Sequence, residues 1–266
     1  MGSGQKTILD SGARRLPENY VKVENTVRTK DKKVRFVMYL FSDGPKEYDF
    51  LLKVMSLGRD RHWRDEILRA VDASQGDFVL DIACGTGLVS FELASRKRCP
   101  VVGIDVTREM LVRANELKRR YSNGRTPDVD FVQARAENLP LRSDVFAAAT
   151  ISLAMRNVSS IPETVSEMTR CVKPEGKVMS MDFTQPNGVL FRSLYGFYTF
   201  YVLPTLGMLL SRHWNGILAY LAGSIRRSKS PEEIREIMQK EGGLESVTIK
   251  RMTRGVTALT TGCKSA

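Results

Sequence analysis

From Leu80 to Leu88 the chain reads L-D-I-A-C-G-T-G-L, an apolar strand that runs into a glycine-rich turn and then into a helix. A backbone that turns in this way presents N–H groups to an anion, and Gly85 and Gly87 let the main chain approach it closely. Asp105, nineteen residues after Thr86, closes a second apolar run, V-V-G-I-D. A strand, a tight turn, a helix and a second strand ending in an acid fit a parallel sheet with helices across its faces.

The dinucleotide fingerprint needs a third glycine so that helix and strand can close around a pyrophosphate, and Ser90 stands there. A smaller ligand fits better, with one ribose and a carboxylate or amine tail. The loop would hold the tail, and Asp105 would accept from both ribose hydroxyls. S-adenosylmethionine has that shape. The bland alternative is a tight strand-to-helix turn with an aspartate at a buried strand end.

With 266 residues, 42% hydrophobic and 27% charged, the chain can bury one good-sized core, as one large domain or two small ones. The net charge of +11 permits attraction to nucleic acid or to an anionic membrane face. Its basic residues are spread along the chain in short clusters such as Lys30, Lys32 and Lys33, and no aromatic-interleaved basic stretch accompanies them. A solvated basic surface is therefore favoured over a nucleic-acid site, while a membrane surface stays open. Cys84, Cys99, Cys171 and Cys263 show no paired spacing, which points to a reducing compartment. Two histidines, His62 and His213, and no C-x-x-C argue against a metal site. Residues 1–30 mix charges with Gly, Ser and Pro and lack the apolar core of a signal peptide, so they read as a flexible tail.

From Phe78 onward strands and helices alternate, as in a doubly wound α/β sheet. Strands are expected at Phe78–Ile82, Val101–Ile104, Asp130–Gln133, Val145–Ser152 and Val178–Phe183, with Leu244–Met252 and Val256–Thr261 as a terminal hairpin on the sheet edge. Helices are expected at Leu88–Arg96, after a Thr107 cap, from a Ser160 cap to Val172, and at Pro231–Glu241. The helix after Thr107 carries Met110, Leu111, Ala114, Leu117 and Tyr121 on one face.

Ser193 to Ser211 is nineteen residues without a charge. That length invites a membrane span, but Pro204, Gly196, Gly207, two threonines and three tyrosines make it less apolar than a span. A buried helix pair, an interfacial segment and an apolar lid over a greasy substrate compete, and the lid is favoured. Tyr195, Tyr198 and Tyr201 recur every three residues and are expected to share a helix face.

Several separate segments resemble the ubiquinone and menaquinone biosynthesis C-methyltransferases. They include Tyr48-Asp49 with Met55-Ser56-x-Gly58 and Trp63, Ala134-Arg135-Ala136-Glu137-x-Leu139-Pro140, Ile151-Ser152 and Arg156-Asn157-Val158. Arg170-x-Val172-Lys173-Pro174-x-Gly176, Tyr201-Val202-Leu203-Pro204, Tyr220-Leu221-Ala222-x-Ser224-Ile225 and Gly255-Val256-x-Ala258-Leu259 extend the likeness over roughly Tyr48 to Lys264. The resemblance implies a seven-stranded, mostly parallel Rossmann-like methyltransferase domain over 31–266. It would comprise a helical cap (31–75), a cofactor-binding core (76–183), an apolar helical lid (184–228) and a C-terminal helix and hairpin (229–266).

The implied reaction is methyl transfer from S-adenosylmethionine to a ring carbon of a polyprenylated quinol. By matching position, the resemblance puts Thr86, Asp105, Arg135, Ala136 and Ser152 at the cofactor, with Asp81, Gly85 and Gly87 at its methionine end. It implies a substrate-side catalytic role for Arg156 and Asn157, helped by Tyr48, and places Asp49, Tyr198 and Tyr201 beside the acceptor. The partner it implies is a lipophilic quinol, with peripheral membrane contact and a homodimer or a quinone-synthesis complex both open. The setting would be the cytoplasm, or the mitochondrial matrix face of a membrane in a eukaryote.

The chain departs from the family pattern at Leu51-Leu52, where Met-Asn is usual, at Asp60, which occupies a histidine position, at Arg135, where asparagine is usual, and at Glu175, in place of a common glycine. Arg135 cannot accept a hydrogen bond from an adenine amino group, so backbone contacts or stacking would have to substitute. These departures keep two alternatives in view: a methyltransferase for another lipophilic acceptor, such as a sterol, a phospholipid amine or a phenol, and a scaffold that has lost turnover.

Overall fold

The structure is a computed structural model that describes residues 31–42, 44–121, 127–210 and 212–266. The expected tail at 1–30 lies outside them, as does the side chain of His213. Three helices come first: α1 (Lys32–Ser42), α2 (Pro45–Met55) and α3 (Asp60–Ala70). Then β1 (Phe78–Ile82), α4 (Leu88–Lys97), β2 (Val101–Asp105), α5 (Arg108–Arg120), β3 (Val129–Gln133), β4 (Phe146–Ser152), α6 (Ile161–Cys171) and β5 (Val172–Phe183) alternate. Three more helices follow, α7 (Val189–Phe197), α8 (Leu203–Leu210) and α9 (Arg212–Arg226), and the chain ends in α10 (Pro231–Lys240), β6 (Leu244–Met252) and β7 (Thr257–Lys264).

The strands form one sheet in the order β3-β2-β1-β4-β5-β7-β6, parallel through β5, with β7 antiparallel to both β5 and β6. The near-continuous apolar runs of β1 and β2 suit strands covered on both faces. One face packs Val79, Val101 and Phe131 against α3, α4, α5 and α9, and the other packs Leu80, Ile82, Ile104 and Ile151 against α6 and α10. Because side chains alternate along a strand, Asp81, Asp105 and Ser152 lie on the face opposite Ile82, Ile104 and Ile151, the face that carries the N-terminal helices. Strand order reverses between β1 and β4, and in open α/β sheets that switch point opens the ligand crevice at the carboxyl edge.

Four local expectations change. Thr107 makes no side-chain cap; its N–H instead donates to Asp105 Oδ1 at 2.8 Å. Tyr121 lies just past the end of α5 and stacks on Phe91, 4.9 Å between ring centres, rather than facing the sheet. The fifth strand starts six residues early, at Val172, because Lys173 to Gly176 bulge out of register against β4, with Glu175 at φ +65° where a glycine would be unstrained. Between α7 and α8 lies a π-helical turn, Tyr198–Val202, in which the Leu203 N–H reaches back five residues to the Tyr198 carbonyl. Pro204 follows at once, and having no N–H it cannot supply the next bond of an α-helical ladder.

Candidate functional site

The glycine loop is cut to shape by two conformations that a side chain would resist. Gly85 and Gly87 both have positive φ, and a Cβ on Gly87 would stand 2.8 Å from the Phe131 ring. Gly85 faces open space, so a ligand can lie against its backbone. Asp105 closes the loop from the second strand. Its Oδ2 accepts the Gly85 N–H at 2.8 Å while Oδ1 accepts from Thr107, which fixes the carboxylate and leaves each oxygen a further lone pair. Burial pushes the Asp105 carboxyl above the usual range.

Ser90, which breaks the dinucleotide pattern, is buried and donates its hydroxyl to Asp81 Oδ2 at 2.5 Å, tying α4 to β1. Burial pushes Asp81 up to about 7 even though this bond and its neighbours partly offset the cost. Thr86 donates to Asp49 Oδ1 at 2.6 Å, so α2 is latched directly to the loop, and burial raises the Asp49 carboxyl as well.

A cleft of about 750 Å³ opens beside this loop, lined by Asp105, Val106, Ala134, Ala136, Ser152, Leu153 and, from α1 and α2, Val34, Phe41 and Tyr48. A second cleft of about 530 Å³, with Asp60, Arg64, Asp81, Cys84 and Thr86, shares Tyr48, Ala83, Gly85, Ser152 and Leu153 with the first. The glycine loop and the carboxyl end of β4 are therefore the junction at which the two clefts meet. A nucleoside fits the larger part beside Asp105, and an amino-acid tail fits the acidic part beside Asp81, so the residues present suit S-adenosylmethionine. Asp60 is buried and bonded to Ser56 and to Arg64, whose guanidinium also reaches Glu92 at 2.9 Å.

Arg135 lines the larger cleft, but its guanidinium is turned to Glu137 (3.3 Å), Ser159 (2.8 Å) and Asp31 (3.6 Å). At this position the side chain anchors the start of α1, and Lys33 adds a bond to the Val158 carbonyl at 2.5 Å. Ala136, the next residue, also lines this cleft.

At the end of β4 the chain enters a short 3₁₀ turn, Met155–Asn157. There Arg156 is almost fully buried, its side chain only 4% exposed. Nη1 bonds Asp182 and the Leu153 carbonyl (2.6 Å), Nε reaches Ser224 Oγ at 3.3 Å, and the guanidinium lies 5.2 Å from the centre of the Phe183 ring. Phe183 is in turn held edge-on by the buried Trp63, whose indole N–H donates to Thr253. Asn157 Oδ1 accepts from the Tyr220 hydroxyl at 3.0 Å. Tyr48 borders both clefts, and burial pushes its phenol up to about 12, which keeps it neutral at physiological pH.

The three tyrosines of the uncharged segment do not share a face. Three residues of α-helix fall about 60° short of a turn, and the wider π turn that holds Tyr198 and Tyr201 adds to the drift, so Tyr201 leaves the face of Tyr195. Tyr195 and Tyr198 pack inward against the core, and Tyr198 donates to the Val54 carbonyl at 2.8 Å, joining α7 to α2. Tyr201 is 66% exposed and stacks on Phe197 at the surface, away from the crevice, because its helical phase points it outward.

Against known proteins, residues 26–264 match the family model described as the ubiE/COQ5 methyltransferase family. The chain belongs to the ubiE/COQ5 methyltransferase family. It is an S-adenosylmethionine-dependent enzyme. A mitochondrial 2-methoxy-6-polyprenyl-1,4-benzoquinol methylase from Dictyostelium discoideum is 30% identical, over 90% of this chain and 84% of that protein. The Geobacter sulfurreducens ubiquinone/menaquinone biosynthesis C-methyltransferase UbiE is 34% identical over 85% of this chain and 87% of its own. A demethylmenaquinone methyltransferase from Streptomyces avermitilis is also 34% identical, over 88% and 97%. Among solved structures, phosphoethanolamine N-methyltransferase 2 of Haemonchus contortus, in complex with S-adenosyl-L-methionine, shares the fold with a TM-score of 0.61 at 16% identity; 85% of this chain covers 60% of that one. A methyltransferase from Aquifex aeolicus gives 0.53 at 14% identity, over 75% and 88%.

Within this ubiE/COQ5 member, sequence reasoning missed Asp182, which holds both the backbone N–H (3.0 Å) and the guanidinium of Arg156. The available signal was an acid at the carboxyl end of an expected strand, the same edge that carries Asp105.

Proposed function

We propose that this methyltransferase moves the methyl group of S-adenosylmethionine to a ring carbon of a polyprenylated benzoquinol or naphthoquinol. The single observation that carries the reading is Arg156: a buried cation at the carboxyl edge, beside the donor crevice and under a lid of apolar helices. The names of the relatives support the same acceptor class.

When bound, S-adenosylmethionine supplies an electrophilic sulfonium methyl. Asp81, Gly85, Thr86 and Gly87 hold the amino-acid tail, Asp105 the ribose, and Ala136 with the Arg135 backbone the base, next to Ser152. A neutral aromatic carbon attacks poorly, whereas a quinol that loses its hydroxyl proton gains charge at the ortho carbon. Arg156 stabilises that phenolate, or orders a water that takes the proton, because a guanidinium is too basic to serve as the base itself. The ring carbon would take that methyl as the sulfonium leaves as a neutral thioether; the ring proton is then lost as aromaticity returns and the phenolate oxygen regains one, so one proton is released per turnover. Asn157, fixed by Tyr220, borders the acceptor. Tyr48, neutral and at the crevice junction, bonds or stacks on the ring. Asp49 acts through Thr86 by positioning the loop, and Tyr198 by closing α7 on α2.

The acceptor reaches the crevice from a lipid surface. Leu190, Leu194, Phe197, Tyr201 and Met208 are exposed on α7, the π turn and α8. Among the described residues no helix is long and apolar enough to cross a membrane, so contact is peripheral, aided by the net charge of +11. The test is methyl transfer by the purified protein to prenylated benzoquinol and naphthoquinol acceptors. Turnover of one or both is expected, and activity only on a sterol, an amine lipid or a simple phenol overturns the reading.

A further inference from the structure

The inward face of α7 carries a group that the fold leaves unused. The Tyr195 ring packs against the core beside Tyr198, and its hydroxyl oxygen is shut off from solvent with no hydrogen-bond partner among the described residues. A buried phenol without a partner is uncommon, because the group loses its water and gains nothing in exchange. The neighbouring tyrosines are satisfied: Tyr198 bonds the Val54 carbonyl and Tyr220 bonds Asn157.

The charges that act on the Tyr195 hydroxyl are those of Arg156 and Asp182, the pair at the acceptor side of the crevice, with Tyr198 as the third neighbouring group. Burial raises its pKa, so it stays protonated throughout the physiological range. Arg156 spends Nη1 on Asp182 and Leu153 and Nε on Ser224, which among the described residues leaves its Nη2 for the acceptor. A phenolate oxygen accepts more than one hydrogen bond, so a second donor beside Nη2 adds to its stabilisation, and a protonated phenol in a dry site can be one without titrating.

We infer that Tyr195 is a substrate-binding and catalytic residue, whose hydroxyl donates a hydrogen bond to a ring oxygen of the quinol beside Arg156. This rests on the proposed quinol acceptor and adds a specific contact to it. The donor keeps its own proton; the proton lost from the quinol leaves by the Arg156 side. The contact also selects for an acceptor with an oxygen at that place, because a ring lacking it leaves the phenol unpaired.

Tyr195→Phe tests the inference. The variant loses only an oxygen that no protein group uses, so its thermal midpoint should equal or exceed that of the unaltered protein. Its affinity for S-adenosylmethionine should be unchanged, and kcat/KM for the quinol should fall roughly 10- to 100-fold with an unshifted pH profile. A lower thermal midpoint with kcat/KM unchanged would show a structural tyrosine, and full activity on the quinol would remove Tyr195 from the site; either overturns the inference. If the unaltered protein itself fails on every quinol, it is the acceptor reading that fails.

Discussion

Asp81 is a buried carboxylate whose one side-chain donor is Ser90 and which has the Asp105 carboxyl as a neighbour, and the consequence is a pH dependence with a definite sign. Its carboxyl is raised from 3.8 to about 7 in the fold, so between those values the unfolded chain gives up its proton first and the native state bears the cost of burial. Without ligand, the contribution of Asp81 to stability should therefore decline as pH rises through that window and level off above it. Denaturant titrations should show Asp81→Asn gaining on the order of 2 kcal/mol relative to the unaltered protein between pH 5 and pH 7.5. A cationic amino-acid tail beside the carboxylate acts in the opposite sense, so calorimetry should show donor binding tighten and release a proton over the same window. At the acceptor side, Arg156→Lys keeps the charge but not the fork that spans Asp182, Leu153 and Ser224. A kcat loss of roughly 100-fold is expected, with donor affinity intact by calorimetry. The places of Thr86 and Asp105 at the loop were legible in the sequence because a strand-turn-helix of fixed geometry sets them, whereas the bonds from Ser90 to Asp81 and from Thr86 to Asp49 were not. Arg135 was legible only as a departure: that it would turn to Glu137 and Ser159 depends on residues two and twenty-four positions away. Asp182 and the orphan hydroxyl of Tyr195 depend on contacts that no local pattern encodes.

Among the elements, the first strand and the Ser160 cap, each with a short-range cause, were placed correctly, whereas Thr107 makes no side-chain cap. β1 runs over Phe78–Ile82 as read, and Ser160 caps α6 by accepting from the Glu163 N–H. The bulge at Lys173 to Gly176 and the π turn before Pro204 were not read, since both arise from registers set against other elements or against a missing donor. That turn sets the phase of the uncharged segment, so Phe197 and Tyr201 stack outward while Tyr195 and Tyr198 face in. If the outer face meets lipid, Leu194→Glu with Phe197→Glu should abolish sedimentation with anionic vesicles and leave donor binding unchanged. The unaltered protein's binding should weaken with salt, and indifference to lipid would refute the docking. The glycine loop makes a similar demand on its own element. Gly87→Ala puts a Cβ 2.8 Å from Phe131 at φ +84°, and chemical denaturation should show a loss of about 1–3 kcal/mol together with weaker donor binding.

At the scale of the molecule, sheet order decides where chemistry is done. The switch between β1 and β4 sets Asp81, Asp105, Ser152 and Arg156 along one edge, and helices from both ends of the chain, α1 and α2 from one side and α7 and α9 from the other, wall it off. Donor binding to this crevice should stabilise the whole domain: at a hundredfold excess over Kd, about 2.7 kcal/mol, a rise in thermal midpoint of roughly 5–10 °C. The most direct measurement of what the crevice does is the position of the transferred methyl. With methyl-¹³C S-adenosylmethionine and a prenylated quinol bearing an unsubstituted ring carbon, carbon NMR of the product should show the label as an aryl methyl near 10–15 ppm on the usual shift scale, roughly 40 ppm upfield of a methyl ether. Label on a ring oxygen, or no labelled quinol at all, would contradict the C-methylation proposed for this crevice.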